Sequence, residues 1–107
     1  MIARIWHGYT TQENAEAYET LLLNKIFPGI ERKKVAGYKQ ISLFRRDIGD
    51  EVEFITQMLF DNIESVKAFA GDDYEQCVVP TEARKVLKRF DMKSQHYEII
   101  QELSYFS

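Results

Sequence analysis

The chain has 107 residues, of which 45% are hydrophobic, 13% aromatic and 29% charged. A chain of this length can bury a core without disulfides or metal ions, so we expect residues 1–107 to form one domain. The 17 acidic and 14 basic residues give a net charge of −3, which excludes the basic excess that binds nucleic acid. One cysteine, no leader-like segment and no apolar run of bilayer length predict a cytoplasmic protein that does not bind membranes.

A strand and a helix are predicted first along the chain. Residues 1–8 alternate between two sets of side chains, as strands do. Thr10 and Glu13 then match a capping box, which predicts a helix that runs to about Phe27. Its apolar side chains recur at intervals of three and four, and the Pro-Gly pair that starts at Pro28 is a typical ending.

The rest of the chain predicts strands and shorter helices. Two strand patterns flank a turn that contains Gly49, so they should form an antiparallel hairpin. A helix should follow, capped by Asp61 or Asn62 and closed by Gly71. In chain order the predicted elements are strands over 38–46 and 51–60, a helix over 62–70, a helical piece over 80–90 and a strand over 94–102.

This order of elements is typical of an α+β, ferredoxin-like βαββαβ fold. Right-handed crossovers place both helical layers on one face of a four-stranded antiparallel sheet. The other face mixes apolar and charged residues and has no cover from the chain itself, which favours a homodimer that pairs two such faces. The residues expected at that dimer interface are Arg4, Trp6, Gln57 and Glu98.

Several segments together resemble one known family. They are MIARIWHG at 1–8, AFAGDDYE at 68–75, CVVPTEAR at 77–84, RFD at 89–91 and HYE at 96–98. Over nearly the whole chain they resemble the antibiotic biosynthesis monooxygenase-like family of the dimeric α/β-barrel superfamily. The resemblance implies a homodimer in which two sheets face one another as a barrel, with a pocket in each subunit between its sheet and its helices.

The resemblance also implies an activity. Family members with known chemistry oxygenate polycyclic phenols or quinols without metal or flavin, because the substrate itself supplies the electrons to oxygen. We therefore expect a monooxygenase that needs no cofactor and acts on a small, apolar aromatic or quinol-type compound. The alternative is a non-catalytic homodimer of the same fold that binds a small ligand or has a structural role.

The chain departs from the family's active patterns. Quinol oxygenases and haem degraders carry a tryptophan in the helix after the third strand, in the region of Val66, whereas the only indole here is Trp6. Haem degraders also use an asparagine on the first strand and a histidine in the second helical segment. This chain has His7 on the first strand and no histidine over 62–90, so haem degradation is not expected.

His7 is the candidate catalytic base. It and His96 are the two histidines of the chain, and an imidazole exchanges its proton near neutral pH. If the first and last strands are neighbours, His7 should face the helices with Ala3 and Ile5, and His96 should face the partner subunit with Glu98. The alternative for each histidine is a structural hydrogen bond.

Tyr74 and Arg84 are the other candidate catalytic residues. Tyr74 would lie at the mouth of a pocket or plug the junction between helices, and Arg84 would hold an oxyanion or pair with a structural carboxylate. Cys77 is expected to be an inert thiol, and two histidines without ligand spacing predict no metal site. The side chains that would line a cavity or fill the core are Tyr18, Phe27, Phe54, Met58, Phe60, Phe69 and Phe90.

Overall fold

The computed structural model describes residues 1–105, which form an antiparallel sheet with helices packed against one face. The strands are β1 (Ile2–Thr11), β2 (Tyr38–Asp47), β3 (Glu51–Phe60), β4 (Arg89–Phe90) and β5 (Gln95–Glu98). The helices are α1 (Ala15–Leu21), α2 (Phe27–Arg32), α3 (Ile63–Ala70) and α4 (Thr81–Val86), and a π-helical turn (Leu22–Ile26) joins α1 to α2. The predicted α+β, ferredoxin-like fold is confirmed. Among residues 1–105, no helix has the length and apolar character of a membrane span.

β1 is the central strand of the sheet. β3 pairs with one edge of it in unbroken antiparallel register, starting with Ile2 opposite Phe60. β2 lies outside β3, while β4 and β5 both pair with the other edge of β1. The strand predicted over 94–102 is shortened to β5, and Ser94 before it donates its N–H to the Glu75 carbonyl. The sheet has five strands and not the predicted four, because β4 forms in the segment that was predicted to be helical.

The first helical layer is longer than predicted. The Pro-Gly pair predicts an end near Phe27, but α2 continues to Arg32. In the π-helical turn the backbone is wider, and the Phe27 N–H bonds to the Leu22 carbonyl five residues earlier. Pro28 follows in the first turn of α2, where the N–H that proline lacks is not needed for the helix.

β1 is also longer than predicted and includes Thr10, the residue expected to cap the helix. Thr10 lies in β1, where it is fully buried and its hydroxyl has no hydrogen-bonding partner within the described residues. The predicted capping box is therefore wrong. The helix begins at Ala15, and the Thr11 hydroxyl accepts a hydrogen bond from the Asn14 N–H at 3.3 Å.

α3 has the predicted ends, whereas α4 does not. Asn62 Oδ1 accepts the Ser65 N–H at 3.0 Å, and Gly71 ends α3 with a φ of +93° that favours glycine. The helical piece predicted to reach Phe90 ends at Val86, because the chain becomes extended at the next residue and then enters β4.

We name the two faces of the sheet the covered face, against which the helices pack, and the uncovered face. β3 shows the difference most clearly. Phe54 and Phe60 are fully buried on the covered face, where Phe54 meets the helices and Phe60 packs with Val66 of α3. Ile55 and Gln57 alternate with them and lie on the uncovered face.

The orientation predicted for β1 is wrong. Arg4 and Trp6 line a cavity together with Tyr18 of α1, so both lie on the covered face. Glu98 pairs with a β1 residue of that same face, which leaves Gln57 as the only predicted interface residue on the uncovered face. The two sides of β1 have similar polarity, and the strongly apolar side of β3, paired in register, decides which side meets the helices.

Candidate ligand-binding site

A cavity of about 80 Å³ lies between the covered face and the helices. This is several times the volume that one water molecule needs, and the walls are mostly aliphatic and aromatic. Phe54 and Phe60 of the predicted aromatic set belong to the core, and Phe90 packs against Trp6 with ring centres 5.7 Å apart. The members of the set that line the cavity are Tyr18, Phe27, Met58 and Phe69.

The cavity shares part of its wall with an outer space of about 280 Å³. Ile30 and Phe69 line both spaces, so the two spaces are adjacent, and we name the outer one the approach. Two lysines stand at this approach. Lys25 pairs with Glu82 at 2.7 Å, whereas Lys33 has no carboxylate within 4.0 Å among residues 1–105, and its Nζ lies 5.3 Å from the centre of the Phe69 ring.

Arg4 brings a charge to the cavity wall although it is only 4% exposed. Its Nη1 donates to the Tyr74 carbonyl at 2.6 Å and lies 2.9 Å from His96 Nε2. Its Nη2 donates to the Gln76 carbonyl at 3.3 Å, and the guanidinium carbon lies 5.6 Å from the centre of the Phe69 ring. Burial lowers the pKa of Arg4, but a guanidinium remains protonated in proteins.

His96 lies beside Arg4 on the covered face, so its predicted orientation toward a partner subunit is wrong. Burial and the nearby charge of Arg4 lower the pKa of His96. The neutral imidazole is therefore favoured, and its Nε2 accepts a hydrogen bond from Arg4. The Tyr74 ring meets the His96 ring edge to face at 5.0 Å and packs against the core, and it does not line the cavity.

His7 lies on the uncovered face, opposite Ile55, and the prediction that it faces the helices is wrong for the reason given for β1. Its Nδ1 lies 2.8 Å from Asp91 Oδ2, and the same oxygen accepts the His7 N–H at 3.2 Å. A carboxylate on Nδ1 fixes the orientation of an imidazole and leaves Nε2 to face outward. The role of His7 as a base stays a prediction, but not at the cavity described above.

Arg84 is exposed and does not line the cavity. Its Nε donates to the Val79 carbonyl at 3.2 Å, and its guanidinium carbon lies 5.6 Å from the centre of the Phe90 ring. The three predicted catalytic residues are therefore not brought together, since His7 lies across the sheet and Tyr74 packs beside His96. Within residues 1–105 no cluster of His, Cys, Asp or Glu could hold a metal ion.

Arg4 is the site residue that the sequence analysis placed on the wrong face. Arginine is rarely buried, so an arginine on a strand is normally assigned to the more exposed side. The signal that could have found it is the register with β3, which places Arg4 opposite Met58 and Trp6 opposite Thr56. Those two β3 residues lie on the same side of that strand as Phe54, and this side is the apolar one.

The fold is shared with solved structures. A Bacillus cereus protein, described as a candidate antibiotic biosynthesis monooxygenase, aligns over 100% of this chain and 98% of its own, with a TM-score of 0.67 and 8% identity. Rv0793 from Mycobacterium tuberculosis aligns over 96% and 98%, with a TM-score of 0.61 and 16% identity. An ethyl tert-butyl ether (EthD) family protein from Bacillus halodurans aligns over 94% and 100%, with a TM-score of 0.57 and 17% identity.

No protein-family model and no curated protein matches the sequence. The structural likenesses cover essentially the whole chain at low sequence identity, and they therefore concern the fold. At that level the resemblance predicted from the sequence is confirmed. The chain is an α+β protein with a ferredoxin-like fold that it shares with these solved structures, and a small, mostly apolar cavity lies under its helices.

Proposed function

We propose that the chain binds a small, largely apolar aromatic compound in the cavity between the covered face and the helices. The observation that supports this function is the cavity itself, which has aromatic walls and an approach along Ile30 and Phe69. Its volume of about 80 Å³ is roughly half that of an engineered cavity that takes up benzene, so entry of a ring requires side chains at the approach to move. Val78 lines both spaces and is 53% exposed, so we expect its side chain to move when a ring enters.

A blocking variant tests this proposal. Val78→Trp should fill the approach, and Met92→Trp, at a position that is 70% exposed and outside the cavity, is the matched control. Indole, 1-naphthol and dihydroxynaphthalenes are titrated calorimetrically into each protein. We expect binding to wild type and to Met92→Trp and at least about tenfold weaker binding to Val78→Trp. Absence of binding to wild type, or equal binding to all three proteins, would refute the proposal.

A second candidate function is the cofactor-free monooxygenase reaction, favoured by the pairing of His7 with Asp91. The Bacillus cereus structure with the same fold is described as a candidate for this class. In such a reaction His7 would remove a proton from an anthrone or quinol. Oxygen then oxidises the ring carbon to a carbonyl, one oxygen atom remains in the product and the other leaves as water.

Oxygen consumption with dihydroxynaphthalenes and anthrones separates the two functions. If the second function holds, wild type consumes oxygen, and His7→Ala loses most of the rate while binding at the cavity is unchanged. Arg84→Ala and Tyr74→Phe measure whether the other two predicted residues contribute. Binding without oxygen consumption supports the non-catalytic function, and turnover that survives His7→Ala removes that histidine from the mechanism.

We also propose that two copies pair through their uncovered faces to form a homodimer in the cytoplasm. Phe44 and Tyr97 are 49% and 54% exposed on this face. The segment after β5 adds exposed apolar side chains, with Ile100 at 86% and Tyr105 at 85%. Apolar area of this kind is normally covered in an assembly, and a two-fold pair of identical faces is the commonest way to cover it.

A further inference from the structure

We propose that Arg4 makes the cavity selective for ligands that carry one oxyanion, a carboxylate or a phenolate, on a small aromatic ring. The inference rests on the proposed binding function and adds the charge and chemical class of the ligand. It is carried by Arg4, a buried arginine that lines a mostly apolar cavity.

Arg4 has no counter-charge beside it within the described chain. Among residues 1–105 no carboxylate oxygen lies within 4.0 Å of the Arg4 guanidinium. Its partners are the carbonyls of Tyr74 and Gln76 and the neutral imidazole of His96, none of which carries a negative charge. A buried cation is normally paired with an anion, because leaving it unpaired costs solvation free energy.

The Arg4 guanidinium also has N–H donors that no residue among 1–105 uses. A guanidinium has five N–H groups, and the three contacts of Arg4 engage two on Nη1 and one on Nη2. Nε–H and one Nη2–H therefore have no partner within the described chain. An oxyanion accepts two such donors side by side, which is the geometry for which arginine is suited and lysine is not.

The groups near Arg4 also suit an anionic aromatic ligand. Burial raises the pKa of Tyr18, so its phenol stays protonated, and its hydroxyl makes no hydrogen bond among residues 1–105. Tyr18 lines the same cavity and is therefore available as a neutral donor. Lys33, which has no ion pair among residues 1–105, stands at the approach and attracts anions toward it. The mostly apolar walls favour a ligand whose remaining surface is apolar.

Pairs of charged and neutral probes of similar shape test the inference. Benzoate and benzamide are titrated against wild type, Arg4→Met and the conservative variant Arg4→Lys, and thermal unfolding confirms that each variant folds. We expect wild type to bind benzoate at least about tenfold more tightly than benzamide. Arg4→Met should lose this preference but keep its affinity for benzamide, and Arg4→Lys should keep part of the preference because the charge remains.

A phenol distinguishes the two oxyanions and needs no variant. If the protein binds 4-nitrophenol as its yellow phenolate, the apparent pKa of 4-nitrophenol should be lower in the presence of wild type than in buffer. An unchanged pKa of 4-nitrophenol together with tight benzoate binding assigns the site to carboxylates.

Lys33→Met is the control for a charge outside the cavity. The inference is overturned if wild type binds benzamide as tightly as benzoate, or if Lys33→Met and not Arg4→Met removes the preference. If neither probe nor any neutral aromatic binds, the proposed function fails as well.

Discussion

The covered and uncovered faces of one sheet differ in how far the chain shields them, although their residues alternate along the same strands. On the covered face Phe54 is 1% exposed and Arg4 is 4% exposed, while on the uncovered face Phe44 is 49% exposed. For these three residues burial follows the reach of the helices rather than the polarity of the side chain. An arginine lies inside because β1 and β3 are in register, and a phenylalanine lies outside because no element of the described chain reaches it.

The largest expected difference between the two faces is in stability. Phe54→Ala should lower the free energy of unfolding by about 3–5 kcal/mol, because it leaves a cavity next to Tyr18, whose ring packs 4.9 Å away. Phe44→Ala is the matched substitution on the uncovered face, and it should cost a monomer about 0.5 kcal/mol or less. Urea unfolding at low protein concentration measures both. Equal costs would contradict the distinction between the faces.

The next effect concerns association. Ile55→Glu places a charge at the centre of the uncovered face and should weaken dimerisation by about 2 kcal/mol or more, roughly thirtyfold in the dissociation constant. Sedimentation equilibrium measures the constant, and circular dichroism should show an unchanged fold. Trp6→Glu is the informative contrast. Its ring packs on Phe90 and its Nε1 donates to the Asp91 carbonyl at 2.8 Å, so this change should destabilise the monomer instead.

A wild-type chain that stays monomeric at high micromolar concentration would contradict the dimer, and so would Ile55→Glu with an unchanged constant. If Trp6→Glu folds normally and only dissociates the protein, the assignment of β1 to the two faces is wrong.

The third effect is a pH dependence on the covered face. The pKa of His96 is lowered from its ordinary 6.5, so the unfolded chain binds this proton more tightly than the folded one. The contribution of neutral His96 to the stability of the fold is therefore complete above pH 6.5, and it is lost as the pH falls below 6.5. His96→Gln keeps a hydrogen-bond acceptor for Arg4 but has no proton to bind. Thermal unfolding between pH 8 and pH 5 should decline less steeply for His96→Gln, and parallel curves would contradict the assignment.

How well each part could be predicted depends on whether its determinants are local. The hairpin and α3 follow from alternation, from Asn62 as a cap and from Gly71 as an ending, so sequence analysis found them. The continuation of the first helical layer beyond Pro28 as α2 depends on a π-helical turn that no local sequence motif predicts. The aromatic set was predicted to line a cavity or fill the core, and its members are divided between the two. Arg4 was not predicted at the cavity, because its burial results from pairing with a strand more than 40 residues away.

The smallest expected effect is a surface ion pair at the edge of the uncovered face. Glu51 accepts hydrogen bonds from Arg89 at 2.9 and 3.1 Å, and these, with the nearby Lys88, lower the pKa of Glu51 to about 2 from 4.5. A carboxylate with a lowered pKa stabilises the fold above pH 4.5, and this stabilisation is lost as the pH falls toward 2. The Glu51 side chain is 15% exposed, but Arg89 and Lys88 are 57% and 49% exposed. Water and salt therefore screen these pairs, and screened pairs contribute little. Glu51→Gln should therefore barely change stability at neutral pH in high salt, and the small difference from wild type at low salt should vanish between pH 4.5 and 2. Urea unfolding at two salt concentrations measures this difference in stability.

A loss of stability at neutral pH as large as that of Phe54→Ala would show that a partner chain, and not solvent, covers this edge of the sheet. The boundary of the proposed dimer would then include β4.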